Sequence, residues 1–376
     1  MRAIAVVPKS QELRLLEIPE PAIASPTQVR MRMLEVGVCG TDREICTFAY
    51  GTPPPGCDHL VLGHEALGEV LEVGSAVRGL RVGDLVVPSV RRPCAHASCL
   101  ACRAGRQDFC FTGEFTERGI KARHGFMTES FVEDEAYLYR VPAELRDVAV
   151  LVEPLTIGEK GLAQAWQVQR RLPWGAEPRR ADPMRRERSR AEPHRTAVVL
   201  GAGPVGILGA MLLLEHGFST FVYSRSRSPH PKAELVEATG ARYISCLQTP
   251  PHELARHTGP IDLVYEAVGV ASITFEVLKA LGPNGVFVFT GIPPELPAIP
   301  VEADSLMRRV VLMNQAIVGT VNADRPAFEA AISDLARFKA RWPEAMGALV
   351  RRFPLERYRE LLLEPATGIK NVLRFG

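Results

Sequence analysis

The distribution of hydrophobic and polar positions changes along the chain. From residue 2 to about 139, short runs that alternate apolar with polar residues are interrupted by Gly and Pro. This pattern is typical of β-strands, because successive side chains of a strand face opposite sides, and it predicts strands over 28–38, 68–73 and 84–90. The first part of the chain is therefore expected to be mainly β.

After Arg195, strand-like and helix-like patterns alternate. A helix is predicted over about 204–216, and apolar strands are predicted over 197–200, 220–223, 261–265 and 286–290. Such alternation is typical of a doubly wound parallel sheet. From about 328 the pattern is mixed again and ends in a strand over 371–374, and we expect this tail to pack on the first domain.

Length and composition are those of a soluble, enzyme-sized protein that is long enough for two domains. The chain has 376 residues, of which 46% are hydrophobic and 23% charged, and its net charge of +2 gives no sign of a polyanionic partner. No charged segment followed by a long apolar one opens the chain, and the apolar run over 207–214 is much shorter than the roughly 20 residues that span a bilayer. We expect a cytoplasmic protein without a membrane segment.

Nine arginines lie between residues 170 and 195, together with Pro, Ala and Glu. We interpret this segment as a linker rather than a nucleic-acid patch, because Trp174 is its one aromatic residue available for base stacking. The predicted division is 1–190 for the first domain with the linker at about 170–195, 195–313 for a nucleotide-binding domain, and 314–376 for a segment that returns to the first domain.

A glycine-rich motif lies where the first strand after the linker turns into a helix. Gly201 would permit the tight turn, Gly203 would let a pyrophosphate approach the backbone, and Gly206 would allow close packing of helix on strand. The motif predicts a dinucleotide site. Its other members are Pro204 and Val205, and further candidates for cofactor contacts are Val268, Gly269, Thr290, Gly291 and Ile292.

The end of the next strand favours NADP over NAD. An NAD-selective fold usually has an acidic residue there for the ribose hydroxyls, whereas this chain has Ser224, Arg225 and Arg227. A guanidinium matches phosphate oxygens in a bidentate fork, so these residues are candidates for binding a 2′-phosphate. NAD stays the alternative cofactor.

Four cysteines are spaced as in a structural zinc site. Cys94, Cys99, Cys102 and Cys110 are separated by four, two and seven residues in a segment with few apolar side chains. Metal binding would supply much of the folding energy of such a segment. His96 is an alternative to Cys94 as the first ligand.

A second group of residues has the composition of a catalytic zinc site. Cys39, in the segment 37–42 with its two glycines, and His64 offer thiolate and imidazole ligands, and Glu65 and Glu153 are the candidate carboxylates. A catalytic site leaves one position of the ion open for water or substrate. Because Glu65 adjoins His64, it is expected either to ligate the ion or to orient the site.

These motifs resemble those of zinc-dependent medium-chain dehydrogenases, most closely the glucose 1-dehydrogenase family. The resemblance covers nearly the whole chain and is carried by the segments 39–45, 60–66, 86–92, 105–110, 124–127, 153–155, 168–174 and 317–322. It implies a mainly-β, GroES-like catalytic domain and an α/β Rossmann domain with a doubly wound parallel sheet. It also implies a homo-oligomer, a dimer or tetramer, in which the strand over 286–290 could extend the sheet.

By this resemblance the chain would oxidise the anomeric hydroxyl of D-glucose or a related aldose to the lactone, with a zinc-stabilised alkoxide and hydride transfer to NADP or NAD. Cys39, His64 and Glu153 would hold the zinc, and Glu153 would also take part in catalysis and substrate binding. Thr41 would contact the substrate hydroxyl and relay its proton, and Glu114 and Asn322 would bind sugar hydroxyls. The alternatives are a polyol or secondary-alcohol dehydrogenase with the same apparatus and a nucleotide-binding protein that lacks the chemistry.

Overall fold

The computed structural model describes residues 1–173, 195–365 and 368–375, so the predicted linker lies almost entirely outside the described residues. The strands are β1 (Arg2–Val7), β2 (Glu12–Glu17), β3 (Gln28–Gly37), β4 (Leu60–Val61), β5 (Glu65–Val73), β6 (Leu85–Pro88), β7 (Arg91–Arg92), β8 (Thr116–Arg118), β9 (Ala122–Arg123), β10 (Ser130–Asp134), β11 (Leu138–Val141), β12 (Thr196–Leu200), β13 (Ser219–Ser224), β14 (Arg242–Ser245), β15 (Ile261–Glu266), β16 (Leu281–Phe289), β17 (Ala316–Gly319), β18 (Val350–Pro354) and β19 (Lys370–Arg374). The helices are α1 (Gly40–Ile45), α2 (Leu100–Arg103), α3 (Val152–Gln169), α4 (Pro204–Glu215), α5 (Pro231–Ala238), α6 (Leu254–Thr258), α7 (Ala271–Leu278), α8 (Ala303–Leu312), α9 (Arg325–Arg341), α10 (Pro343–Leu349) and α11 (Tyr358–Leu363).

Two compact units make up the structure. The first comprises Met1–Thr156 and Asn322–Gly376, and the second comprises Ile157–Val321. The first boundary falls within α3, a continuous helix, and so does not coincide with the predicted boundary near residue 190. The chain returns to the first unit at Asn322, whereas the predicted return begins at 314.

The first unit is built around a seven-stranded sheet in the order β11-β6-β5-β3-β19-β18, with β10 also paired to β3. Strand β3 alternates buried and more exposed positions, so that Val29, Met31 and Met33 enter the core. Its last residues pair antiparallel with both β5 and β19. This register brings the start of β5 and the C-terminal strand to the same place in the sheet.

The second unit contains a six-stranded sheet in which every pair of neighbours is parallel, in the order β14-β13-β12-β15-β16-β17. Strand β12 is almost continuously apolar, and β12 and β15 are almost entirely buried, as expected for a parallel sheet covered on both faces. The predicted doubly wound parallel sheet is confirmed. In such a sheet, ligands bind beyond the carboxyl ends of the strands, where the strand order reverses.

One expectation about this sheet was wrong. The strand over 286–290 was expected to extend the sheet into another subunit, but β16 is paired on one side with β15 and on the other with β17. Both of its hydrogen-bonding edges are therefore used, and β17 is the edge strand. Within the described residues, no helix is long and apolar enough to cross a membrane.

Candidate metal and cofactor sites

The end of β3 and the start of β5 bring Cys39 and His64 together. Cys39 precedes α1, and its backbone N–H donates to Oδ2 of Asp42 at 2.8 Å. The other carboxylate oxygen of Asp42 accepts from the N–H of Gly63 at 3.2 Å and lies 3.4 Å from Nδ1 of His64. Asp42, which is completely buried, thus ties the cysteine segment to the histidine segment.

The sulfur of Cys39, an imidazole nitrogen of His64 and a carboxylate oxygen of Glu65 all lie within 4.8 Å of one another. This spacing fits a single zinc ion, and thiolate, imidazole and carboxylate are the ligands that zinc takes in proteins. Gly63 adopts φ of +91° between β4 and His64, and a Cβ there would approach Met127 Cγ to 2.6 Å. The turn that places His64 therefore requires glycine.

Negative charge accumulates around His64. Burial by itself lowers the pKa of this imidazole, but the Asp42 carboxylate and the Cys39 thiol raise the pKa well above its ordinary value. Burial also raises the pKa of Glu153 to about 7, although His64 acts in the opposite direction. The thiol, imidazole and carboxylate donors that meet here are the groups that a zinc ion takes, so the donor set fits a metal ion.

Glu153 lies in the first turn of α3 and is buried. The charges of His64, Glu65 and Lys370 all influence it, which places its carboxylate among the same groups. The three ligand atoms that meet within 4.8 Å come from Cys39, His64 and Glu65. Glu153 therefore faces this cluster as a fourth candidate, and its role as a ligand stays a prediction.

Glu65 is already paired with a cation. Lys370 Nζ donates to both carboxylate oxygens, at 2.7 Å to Oε1, and to the carbonyl of Val38 at 3.4 Å. Glu65 and Lys370 are buried. The register brings them together, because Gly37 of β3 pairs with Glu65 of β5 and with Val372 of β19.

Thr41 stands in the first turn of α1, and its hydroxyl lies 3.9 Å from the sulfur of Cys39. The side chain is half-buried, so that it borders the cluster without being sealed in the core. A hydroxyl in this position can contact a substrate held beside the metal ligands. The predicted proton relay is compatible with this position and stays a prediction.

The four remaining clustered thiols form a second group. Atoms of Cys94, Cys99, Cys102 and Cys110 lie within 4.8 Å of one another, and the sulfurs of Cys99 and Cys110 are 3.9 Å apart. All four are free thiols, as tetrahedral zinc ligation requires. The structure brings together the set that includes Cys94, whereas His96 pairs with Glu114 through Nε2 and Oε2 at 2.7 Å.

Asn322 and Glu114, the two predicted sugar-binding residues, lie in different surroundings. The Glu114 side chain is 68% exposed and makes its ion pair with His96. Asn322, at φ of +60°, donates from Nδ2 to Oε1 of Glu117 at 3.1 Å. The structure therefore pairs Asn322 with Glu117, a residue that the sequence analysis missed because nothing in the charged segment 114–118 distinguishes the two glutamates.

Glu117 is held rigidly. It is buried in β8, and its Oε1 accepts from Arg91 Nε at 3.0 Å and from Nη2 at 2.9 Å. The Arg91 guanidinium lies 3.6 Å from the centre of the Phe115 ring and donates to the carbonyl of Asp108 at 3.3 Å. A carboxylate with this support presents its hydrogen-bonding atoms in a fixed direction.

Tyr50 lies within electrostatic reach of both Glu117 and His64. Burial raises the pKa of Tyr50, Glu117 raises it further, and His64 lowers it. Both charged groups therefore lie within electrostatic reach of one phenol. The polar pair of Glu117 and Asn322 and the ligand cluster both belong to the first unit.

In the second unit the glycine motif has the geometry of a dinucleotide site. Gly201 adopts φ of +102°, and a Cβ at Gly206 would overlap the carbonyl of Gly201. A Cβ at Gly203 would meet nothing within 4 Å, so the space in front of it is open. Gly203 caps α4, whose first N–H groups face this space, and the residues fit a pyrophosphate.

A second set of predicted cofactor contacts is organised by Glu266 at the end of β15. Its carboxylate accepts from the N–H groups of Val268 at 2.8 Å, Gly269 at 2.6 Å and Gly291 at 3.0 Å. The Thr290 hydroxyl donates to the Glu266 carbonyl at 2.6 Å. Ile292 follows in the same loop, where its carbonyl would lie 2.8 Å from a Cβ at Gly269. Sequence reasoning did not identify Glu266, whose role depends on loops that meet only in the folded sheet.

Ser224 is the last residue of β13, and Arg225 and Arg227 follow it as exposed residues. Neither arginine has an ion-pair partner in the part of the chain that the structure describes. Two guanidinium groups without carboxylates, placed where an NAD-selective fold would have an acid, suit a 2′-phosphate.

Comparison with known proteins gives matches along the whole length. A family model described as the alcohol dehydrogenase GroES-like domain matches residues 25–143, and one described as the glucose dehydrogenase C-terminus matches residues 146–375. The glucose 1-dehydrogenase of Thermoproteus tenax is 41% identical over 383 residues, covering 100% of this chain and 99% of the relative. That of Methanocella arvoryzae is 38% identical over 378 residues and is covered completely.

Among solved structures, the Haloferax mediterranei glucose dehydrogenase in complex with NADP, Zn and gluconolactone matches with a TM-score of 0.86. It is 33% identical, and the match covers 100% of this chain and 99% of that one. The galactitol-1-phosphate dehydrogenase of Escherichia coli, at 19% identity and a TM-score of 0.78, shares the fold.

A GroES-like unit joined to a parallel nucleotide-binding sheet defines a medium-chain dehydrogenase. The glucose dehydrogenases of Thermoproteus tenax, Methanocella arvoryzae and Haloferax mediterranei, which match over the full length, form a narrower group than this class. The chain belongs to the glucose dehydrogenase family.

Proposed function

We propose that this chain oxidises the anomeric hydroxyl of D-glucose or a related aldose to the lactone while it reduces NADP. The observation that carries the proposal is that the first unit contains both a metal-ligand cluster and the polar pair Glu117 and Asn322, with Tyr50 within electrostatic reach of His64 and of Glu117. Sugars are recognised by fixed polar groups, and a substrate without the matching hydroxyl leaves those groups unpaired. The similarity to glucose 1-dehydrogenases over the full length supports the same substrate class.

Cys39, His64 and Glu153 are the residues that we assign to zinc. Zinc, when bound, supplies the Lewis acidity that lowers the pKa of a substrate hydroxyl. Glu65 is assigned a supporting role, because Lys370 already neutralises its carboxylate. Asp42 holds the segments of Cys39 and His64 in place through buried hydrogen bonds.

Thr41 is assigned to the proton. Its Oγ1 borders the cluster at 3.9 Å from the Cys39 sulfur, and a hydroxyl there can accept the proton of the sugar hydroxyl as it donates its own onward. NADP, when bound, would supply the nicotinamide ring that accepts the hydride from the sugar carbon. Glu117 and Asn322 orient the sugar, and the geometry favours Glu117 over the originally predicted Glu114 for this task.

The second unit supplies the cofactor site. Gly201, Gly203, Pro204, Val205 and Gly206 are assigned to the pyrophosphate, and Ser224, Arg225 and Arg227 to the 2′-phosphate. Val268, Gly269, Thr290, Gly291 and Ile292, which Glu266 ties together, complete the predicted contacts. The four-cysteine group is assigned to a second, structural zinc ion, for which its spacing is suited.

We further infer a cytoplasmic homo-oligomer. All eight cysteines are free thiols, which suits a reducing compartment. On the second unit, Met307, Val311 and Leu312 of α8 expose 66%, 68% and 64% of their surface, and Ile317 of the edge strand β17 exposes 45%. Exposed apolar side chains next to an unpaired strand edge favour a symmetric contact with a second copy.

The proposal is tested by initial rates of NADP and NAD reduction with glucose, galactose, xylose, sorbitol and 2-propanol. We expect reduction with aldoses, faster with NADP, and its loss in Cys39→Ser. Cys57→Ser, which removes an exposed thiol outside both clusters, is the matched control. Activity confined to sorbitol or 2-propanol would instead identify a polyol or alcohol dehydrogenase, and no reduction of either cofactor would indicate a binding protein.

A further inference from the structure

The loop after β13 carries the two arginines assigned to the 2′-phosphate, and one tyrosine holds it. Tyr243, in the neighbouring strand β14, donates from its hydroxyl to the backbone carbonyl of Ser226 at 2.7 Å. Ser226 lies directly between Arg225 and Arg227 in the sequence. This hydrogen bond therefore fixes the peptide that connects both guanidinium-bearing residues.

The register explains why Tyr243 can reach the loop. Strands β13 and β14 are parallel, with Val222 opposite Tyr243 and Ser224 opposite Ser245. The pairing ends there with a backbone hydrogen bond from Cys246 to the carbonyl of Ser224 at 2.9 Å. Beyond Ser224 the loop leaves the sheet, and the long side chain of Tyr243 bridges to it.

The hydroxyl is in a partly dry environment. Burial raises the pKa of Tyr243, whereas hydrogen bonding with the side chains of Ser224 and Ser226 acts in the opposite direction. A hydrogen bond in such a place is stronger than one in water and is costly to leave unmade. The exposed arginines, which have no carboxylate partner among the described residues, depend on the loop for their positions.

We propose that Tyr243 is a positioning residue for NADP recognition, which acts by holding the loop that presents Arg225 and Arg227. Bidentate recognition of a phosphate needs its donors in a narrow range of positions. A loop that is free to move would have to be ordered on binding, at a cost in affinity. NAD has no 2′-phosphate, so its binding does not depend on the positions of the two guanidinium groups. The proposal rests on the assignment of the arginines in the proposed function.

Tyr243→Phe removes the hydroxyl and keeps the ring. We expect the dissociation constant of NADPH, measured by fluorescence titration, to rise about threefold to tenfold, as loss of one hydrogen bond implies, with NADH binding unchanged. KM for NADP should rise with kcat unchanged. Binding of 2′,5′-ADP should weaken in parallel with NADPH.

Tyr223→Phe is the matched control, because Tyr223 is in the adjacent strand and its hydroxyl donates to a carbonyl, that of Thr249, at 2.6 Å. It should lower thermal stability without changing the ratio of NADPH to NADH affinity. The proposal is overturned if Tyr243→Phe weakens both cofactors equally or neither, or if Tyr223→Phe alters the ratio as much.

The arginines are tested separately with Arg225→Ala combined with Arg227→Ala. Loss of NADPH affinity in this variant, with no effect of Tyr243→Phe, would retain the arginine assignment and reject the positioning role. Full NADPH affinity in the double variant would reject both the assignment of the arginines and the positioning role of Tyr243. A wild-type protein that binds neither NADPH nor NADH would contradict the proposed function itself.

Discussion

At the scale of single residues, charged side chains in the first unit obtain their roles from partners that are distant in the sequence. Glu117 and Asn322 are 205 positions apart, and Glu65 and Lys370 are 305 positions apart. The Asn322 amide directs the carboxylate of Glu117, whereas the Lys370 ammonium directs and neutralises that of Glu65. We therefore expect the pair of Glu117 and Asn322 to affect substrate binding, and the pair of Glu65 and Lys370 to affect stability.

Glu117→Gln should raise KM for glucose about tenfold or more, because a hydrogen bond to a charged group is lost or weakened. Glu114→Gln should raise KM less, since Glu114 is exposed and paired with His96. The measurement is steady-state kinetics of both variants at saturating NADP. A larger rise of KM in Glu114→Gln would indicate that Glu114, the residue predicted from the sequence, contacts the sugar.

The pKa of Glu153, raised by burial from 4.5 to about 7, predicts a pH dependence in the metal-free protein. Between these values the folded state binds more protons than the unfolded state, so the free energy of unfolding should fall as pH rises through this range. Thermal melts of chelator-treated protein from acidic to neutral pH measure this. In Glu153→Gln the stability should depend less on pH. An unchanged pH dependence would mean that another group causes it.

At the scale of elements, strand β19 and the four-cysteine segment of the first unit each depend on interactions beyond their own local sequence. Strand β19 pairs with the end of β3 and carries Lys370 into the core. The segment around α2 has free thiols in contact and exposes Leu100 and Phe111. We therefore expect a bound metal ion to supply much of the stability of this segment.

Lys370→Met should lower the free energy of unfolding by about 3–5 kcal/mol, because the buried carboxylate of Glu65 loses its partner. Lys339→Met is the control, since Lys339 pairs with Asp147 near the surface and its loss should cost about 0–1 kcal/mol. Chemical denaturation of both variants gives the comparison. Similar losses would mean that the Lys370 pair contributes no more than a surface pair.

Cys102→Ser should reduce bound zinc from about two ions per chain to about one, because a tetrahedral structural site needs all four ligands. Elemental analysis of the purified protein measures the ratio, with Cys57→Ser as the control. The variant should also unfold at lower temperature. A constant zinc content would show that the four thiols are not a metal site.

At the scale of the whole molecule, the apolar residues of α8 and β17 predict association. Met307→Asp combined with Val311→Asp should shift the protein toward the monomer in sedimentation velocity, because charge would be buried in the contact. Val82→Asp is the control, since Val82 of the first unit is exposed to a similar degree, 65%. An unchanged oligomer, or a monomeric wild type, would contradict this interface.

The sequence by itself determined the features that depend on local spacing. The glycine motif, the four cysteines and the alternation of strands with helices each act over a few residues, so their consequences follow from local geometry. The doubly wound parallel sheet was predicted on this basis, and the medium-chain dehydrogenase class was predicted from the resemblance that the motifs carry; both are confirmed. The metal and cofactor ligands stay predictions, and the structure gives the positions of the residues concerned.

Only the tertiary structure decided which distant residues meet. Glu117 rather than Glu114 pairs with Asn322, Lys370 neutralises Glu65, and β17 rather than β16 forms the edge of the sheet. Each depends on strand register or on the return of the chain after Asn322. Since a one-residue change in register would move every side chain of a strand to the opposite face, no local pattern could have fixed these contacts.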